Sequence, residues 1–235
     1  MKNVIALAAL AAVAGSAQSA VVAYWAFPTS APSQNFNLAW PFNADVKANA
    51  GLAILDTDAP KYDGSPAPNA IQQGSMQLLT GSIVNAQPGF AAGQGLGLRN
   101  DSQNRGEGKS IFLRFDATNF LDLSLSYAER YSSTGPTTVT IGYSTDGVSF
   151  TDFTSYSTLR DGNFAAAARV IDLSSVNSIE NRSASFLRIR FSGFNVNSNG
   201  AARLDNITVS GTVIPTPGAA ALLGLAGLAA TRRRR

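Results

Sequence analysis

Apolar and polar residues alternate along stretch after stretch of this chain, and that period of two restricts what it can fold into. In Leu121-Asp-Leu-Ser-Leu-Ser-Tyr127 every second side chain is apolar, as a strand with one face buried and one in water requires. Thr138-Val-Thr-Ile-Gly-Tyr143 places Val139, Ile141 and Tyr143 on one face, and Leu187-Arg-Ile-Arg-Phe191 sends Arg188 and Arg190 outward. A final strand should divide Leu204, Asn206 and Thr208 from Asp205, Ile207 and Val209 in the same way. The pattern predicts strands over 21–27, 51–56, 75–80, 95–99, 110–116, 121–129, 137–144, 148–153, 168–173, 185–194 and 203–210. Between the two ends of the chain, only Ala165 to Ala168 suggests a helical turn.

Turn chemistry points the same way. Asp146-Gly147 stands between two strand-like runs, the setting of a hairpin. Asp63-Gly64, Asp161-Gly162 and Asn199-Gly200 mark further turns. From about residue 30 to 94 the pattern is less regular. Pro60, Pro66, Pro68 and the run Ala91-Ala-Gly-Gln-Gly-Leu-Gly97 read there as long surface loops inside one domain. Many short strands joined by polar turns predict an all-β fold, a two-sheet antiparallel jelly-roll-like β-sandwich over 20–212.

Composition removes several kinds of chemistry. The chain has no cysteine and no histidine, so it cannot hold a disulfide, a thiolate zinc site, a cysteine nucleophile or a Ser-His-Asp triad. Its 18 basic residues outnumber 15 acidic ones, but Lys2 and the four terminal arginines are five of the 18. The body is therefore mildly acidic, and no nucleic-acid partner is expected.

The two ends read as addresses. Residues 1–19 combine Lys2, an apolar stretch from Val4 to Ala14 and a small-residue exit at Ala17-Gln-Ser19, the pattern of a signal peptide cut by signal peptidase. At the other end, Pro215-Thr216-Pro217-Gly218 precedes an apolar run to Thr231, and Arg232, Arg233, Arg234 and Arg235 close the chain. As a helix the run would span about 21 Å, short of the roughly 30 Å hydrocarbon core. Arginines would hold its far end on the cytoplasmic side. Such a segment suits a transient membrane tether.

The order Pro-x-Pro, short apolar segment and terminal arginine cluster, over 213–235, resembles the PEP-CTERM sorting signal, with Thr216 standing where the motif has Glu. The resemblance implies an exosortase in the inner membrane of a Gram-negative bacterium that processes the tail. It also implies export and delivery to the cell surface or the extracellular polysaccharide. Within the body, Ala23-Tyr-Trp-Ala-Phe27, Tyr143-Ser-Thr-Asp-Gly-Val-Ser-Phe150 and Arg203-Leu-Asp-Asn-Ile-Thr-Val209 resemble secreted bacterial sandwiches that carry such tails. These are similar in outline to carbohydrate-binding modules and lectin-like jelly rolls.

Candidate site residues are few. Aromatic residues crowd near the mature N-terminus; most suit the core, while Trp40 and Trp25 are candidates for stacking on sugar faces. Asp56, Asp58 and Asp63 could offer oxygen ligands to a structural Ca²⁺, although their spacing lacks the closing glutamate of an EF-hand and equally suits turn aspartates. Asp205 and Asn206 are read as strand-end hydrogen-bonding groups. Glu107, Glu129 and Glu180 are the only glutamates and lie in ordinary turn or strand settings. The expectation is a non-enzymatic exported protein without a cofactor, structural or adhesive in role. Carbohydrate binding to a polysaccharide is the first alternative and a carboxylate-dependent glycosidase the second.

Overall fold

The computed structural model describes residues 19–27, 40–60 and 76–215. Among them are thirteen strands: β1 (Ser19–Trp25), β2 (Phe42–Asn43), β3 (Val46–Lys47), β4 (Ile54–Thr57), β5 (Met76–Thr80), β6 (Gln94–Arg99), β7 (Ser110–Phe115), β8 (Phe120–Tyr131), β9 (Thr138–Ser144), β10 (Thr151–Ser157), β11 (Arg169–Asp172), β12 (Ser185–Ser192) and β13 (Ala201–Val213). A 3-10 turn, Asn177–Ile179, is the only helical element among these residues. Ala165 to Ala168 form an irregular connection. None of the described helices is long and apolar enough to cross a membrane. The expected signal helix and the apolar run from Gly218 to Thr231 lie outside the described residues.

Two antiparallel sheets face each other as a β-sandwich. The first has the order β11-β8-β13-β1-β3. Its long strand β13 pairs with β1 over its C-terminal half and with β6 over Ala201–Leu204, and β6 in turn pairs with β5. The second runs β10-β9-β12-β7-β4-β2. The inward residues of both sheets build one core: Leu123, Leu125 and Tyr127 on β8 meet Val139 and Ile141 on β9 and Leu187, Ile189 and Phe191 on β12, all fully buried. Each such side chain contributes about 1.5–3 kcal/mol of burial. Alternation in β12 sends Arg188 and Arg190 outward, as the sequence pattern predicts.

Simple alternation fails in β13. Its register with β8 slips between Asp205 and Thr208, and Asn206 adopts a left-handed conformation with φ 50°. This bulge brings Leu204, Ile207 and Val209 into the same core, correcting the division expected for the strand. It also turns Asp205 and Asn206 toward the connection between β5 and β6. There Asp205 accepts the Ser82 N–H at 2.6 Å, and the Asn206 amide donates to the carbonyls of Ser82 and Val84 at 2.8 and 2.9 Å. Tyr24 Oη donates to Asn206 Oδ1 at 2.6 Å. The loop after β5, irregular in sequence, is thus fastened to the sheet by polar groups that the bulge exposes to it.

Candidate functional site

Along the edge where β8 and β11 of the first sheet meet β10 of the second, the core stops being apolar. Glu129 follows Tyr127 and precedes Tyr131 on the inward face of β8, so all three enter the seam between the sheets. Arg169 on β11 donates through Nε and Nη2 to Glu129 Oε1 at 3.0 and 2.7 Å. Tyr131 and Tyr156 donate to Oε2 at 2.9 and 2.7 Å, and the Tyr127 and Tyr156 hydroxyls lie 2.7 Å apart. The Arg169 guanidinium also stacks 4.2 Å above the Tyr156 ring, a cation–π contact. A carboxylate in the seam is satisfied on both oxygens by groups from both sheets.

Electrostatics agree with that geometry. Burial pushes the phenols of Tyr127, Tyr131 and Tyr156 far above their ordinary range, and the Glu129 charge pushes in the same direction. Their hydroxyls therefore stay protonated and act as donors. The hydrogen bonds to Glu129 raise the Arg169 guanidinium further.

Over this cluster stands the connection from β10 to β11. It is pinned by Gly162 N–H to the Tyr131 carbonyl at 2.9 Å and by Ala165 N–H to the Glu129 carbonyl at 3.0 Å. Gly162 turns the chain with φ 79°, a conformation that favours glycine. Between connection and seam lies a cleft of about 250 Å³, with Tyr131 and Arg169 on its sheet side and Leu159, Asp161, Asn163 and Ala167 on its loop side. That volume is a little under the roughly 300–1,000 Å³ usual for small-molecule pockets. It combines exposed acceptors and donors with apolar wall, the mixture that a sugar ring with hydroxyl edges and C–H faces can use.

The residues singled out in the sequence fall elsewhere. Trp25 is 1% exposed and fills the core, so it presents no ring face to a ligand, which corrects its place among the binding candidates. Trp40 is half-buried, packs against the core and meets Phe42 edge-on at 4.6 Å between centroids. Asp56 accepts the N–H of Thr57 at 2.8 Å, while Asp58 accepts that of Ser110 at 2.7 Å. These are the hydrogen bonds of a turn and a strand end. Asp63, Thr216, Pro217, Gly218 and Arg232 to Arg235 lie outside the described residues; Pro215 follows the end of β13. Among the described residues no cluster of three acidic side chains is arranged to hold a metal ion.

The glutamates are likewise occupied. Glu107 accepts the N–H groups of Gly193 and Phe194 at 2.9 and 3.0 Å, and Glu180 is 3.4 Å from the N–H of Leu123. The seam cluster was hidden from sequence reasoning because its members come from β8, β10 and β11. One local signal was available: a glutamate at an inward position of an alternating strand, flanked by two inward tyrosines, asks for buried partners.

No protein-family model matches the chain, and no curated protein does. Solved structures resemble its fold. The K2 cleaved adhesin domain of Lys-gingipain is similar at TM-score 0.39 and 10% identity, over 66% of this chain and 87% of that one. The K1 cleaved adhesin domain of Lys-gingipain from Porphyromonas gingivalis W83 matches at TM-score 0.38 and 10% identity, over 68% of this chain and 98% of that one. TmCBM61, solved with β-1,4-galactotriose, matches at TM-score 0.34 and 7% identity, over 66% of this chain and 86% of that one.

Proposed function

We propose that this chain is an exported, non-enzymatic β-sandwich that attaches to polysaccharide at the cell surface or in the extracellular matrix of a Gram-negative bacterium. The observation that carries the binding part is the cleft at the seam, where Asp161, Asn163 and Arg169 offer polar contacts beside Leu159 and Ala167. Its floor is held in place before any ligand arrives, because the Glu129 cluster is complete by itself. The non-enzymatic part is supported by the glutamates. Each accepts from donors of the fold, Glu129 on both of its oxygens, an engagement that opposes a role as general acid, base or nucleophile. Export and sorting are supported by the signal-peptide pattern and by the resemblance of 213–235 to the PEP-CTERM signal, which makes signal peptidase and exosortase transient partners.

Saturable binding of the full chain to the producer's extracellular polysaccharide, without release of reducing ends, is the expected result. Asn163→Ala should weaken it about tenfold, the equivalent of one net hydrogen bond, while leaving the melting temperature unchanged. Equal affinity of the variant and the parent would remove the cleft from the interaction. For sorting, mass spectrometry of the surface-delivered protein should find a C-terminus upstream of Arg232. Recovery of intact Arg235 there would refute processing.

A further inference from the structure

The outer face of the first sheet carries a row of three arginines with a buried glutamine at its end. Across four neighbouring strands, register pairs Arg130 on β8 with Arg203 on β13, Arg203 with Gly97 on β6, and Gly97 with Gln77 on β5. Arg99 stands two residues farther along β6, opposite Ala201. Leu98, Ala202, Leu204 and Tyr131 belong to the core, so alternation directs Arg99, Arg203, Arg130 and Gln77 to the opposite face. At Gly97 a Cβ would come within 2.5 Å of a Leu79 methyl carbon. Leu79 therefore leans over the glycine and forms an apolar floor between the arginines and the glutamine.

Two donors in this cluster are buried with no hydrogen-bond partner: Nε of Arg99 and Nε2 of Gln77. Gln77 itself is only 4% exposed. Arg130 spends its Nε on the Gly162 carbonyl, and Arg203 has a weak 3.5 Å contact with the Thr80 carbonyl. Among the described residues no carboxylate pairs with any of the three arginines. Asp205, two residues along β13 from Arg203, gives its oxygens to the backbone N–H groups of Ser82 and Asn206. Burial first, and then the like charges of Arg130 and Arg99, lower the Arg203 guanidinium to about 10. Like charges placed directly across a sheet are unfavourable, and buried donors without acceptors add to that.

We infer that this row is a binding site for an oxyanion carried by an acidic polysaccharide, a carboxylate or a sulfate on a sugar ring that rests against Leu79. The inference builds on the polysaccharide-binding reading and adds the ligand's charge. Guanidinium forks bind carboxylate and sulfate oxygens two bonds at a time, and such a group supplies the counter-charge that the half-buried guanidiniums of Arg99, Arg130 and Arg203 lack. A nucleic acid fits less well, because the body as a whole is mildly acidic.

The test uses the full chain and six probes: polygalacturonate, an oligogalacturonate, neutral dextran, inorganic sulfate, single-stranded DNA and the producer's polysaccharide. Polygalacturonate should bind, more weakly as salt rises. Arg203→Gln and Arg99→Gln should each weaken it by about tenfold or more, the scale of a lost charge-assisted hydrogen bond. Without ligand, Arg203→Gln should melt no lower than the parent, since it relieves repulsion; a merely structural arginine would lower the melting point. Oligogalacturonate should raise the melting temperature of the parent and not of the variant. Equal polygalacturonate affinity in parent and variants overturns the site. Full competition by sulfate at matched charge assigns it to a free anion, and tighter binding of DNA assigns it to nucleic acid; either overturns the glycan ligand. Loss of the arginine effect with dextran binding intact, and still sensitive to Asn163→Ala, sinks this inference alone. Absence of binding to both polymers and to the producer's polysaccharide sinks the parent reading as well.

Discussion

The two sheets turn opposite outer faces to solvent, and both carry arginines, yet the two sets live under different conditions. On the second sheet, Arg188 and Arg190 of β12 converge on one carboxylate, with Asp152 accepting from their Nη2 atoms at 2.6 and 2.9 Å. Arg188 also stacks 5.0 Å from the Phe150 ring centre and Arg114 5.9 Å from that of Phe186. On the first sheet, Arg99, Arg130 and Arg203 face one another and a glutamine. The first set shares a carboxylate and stacks on aromatic rings within the fold, although the Nε atoms of Arg114 and Arg188 are buried without a partner there too. The second leaves charge and donors for something outside the chain. Equal residue types on equal scaffolds therefore say little until their partners are counted, and the partners come from strands far apart in sequence.

The same contrast predicts sizes of effect. The largest belongs to the one arginine whose acid lies in the seam. Removing Glu129 as Glu129→Ala takes the acceptor from the Tyr131 and Tyr156 hydroxyls and leaves Arg169, with a side chain 34% exposed, unpaired. The loss should be on the order of 3 kcal/mol, read as a fall in the denaturation midpoint without change in slope. A loss under about 1 kcal/mol would mean that water replaces the carboxylate freely, contrary to the buried geometry.

Next comes Asp205, which stands on the same face as the unpaired arginines but serves the loop. Burial raises its carboxyl to about 7 against the pull of the Ser82 and Asn206 N–H groups. The unfolded carboxyl titrates near 4, so between about pH 4 and 7 the native state binds more protons than the unfolded chain. Stability then declines as pH rises through that window, by up to about 1.4 kcal/mol per unit, and levels off above it. Thermal melts of the parent should show this slope. Asp205→Asn, which keeps one acceptor and cannot titrate, should flatten it. A parent profile that rises across the same window would mean that the two N–H groups outweigh burial.

How far the sequence reaches is visible in these same residues. The eleven strands expected from alternation coincide with β1, β4 to β13 within a few residues, since a half-buried strand writes its period locally. The two-residue strands β2 and β3 are too short to show a period. Alternation in β13 misleads because one bulge at Asn206 reverses the phase, and nothing local announces it beyond an Asp-Asn pair. The cleft and the arginine row are harder still. Tyr156, Arg169 and Glu129 meet only when β10 and β11 close the seam. Likewise Arg130, Arg203 and Gln77 form a row only through the register of four strands. Composition was more informative by exclusion: the lack of histidine and cysteine holds whatever the fold.

The smallest effect sharpens the comparison from its paired side. Asp152 is 48% exposed, and its two arginines are 18% and 37% exposed at their side chains. Solvent screens such pairs, so Asp152→Ala should lower stability by less than about 1 kcal/mol, and less again in high salt. Its more telling consequence is electrostatic. The substitution makes the face of the second sheet resemble that of the first, with Arg188 and Arg190 left without their carboxylate. If uncompensated charge alone creates an anion site, the variant should gain measurable polygalacturonate binding in the presence of Arg203→Gln. If three arginines gathered beside the Leu79 floor are what make the row a site, it should gain none. The second outcome is expected, because the Arg188 guanidinium stays stacked on the Phe150 ring, whereas Arg99, Arg130 and Arg203 stand on one face with neither a ring nor a carboxylate assigned to them among the described residues.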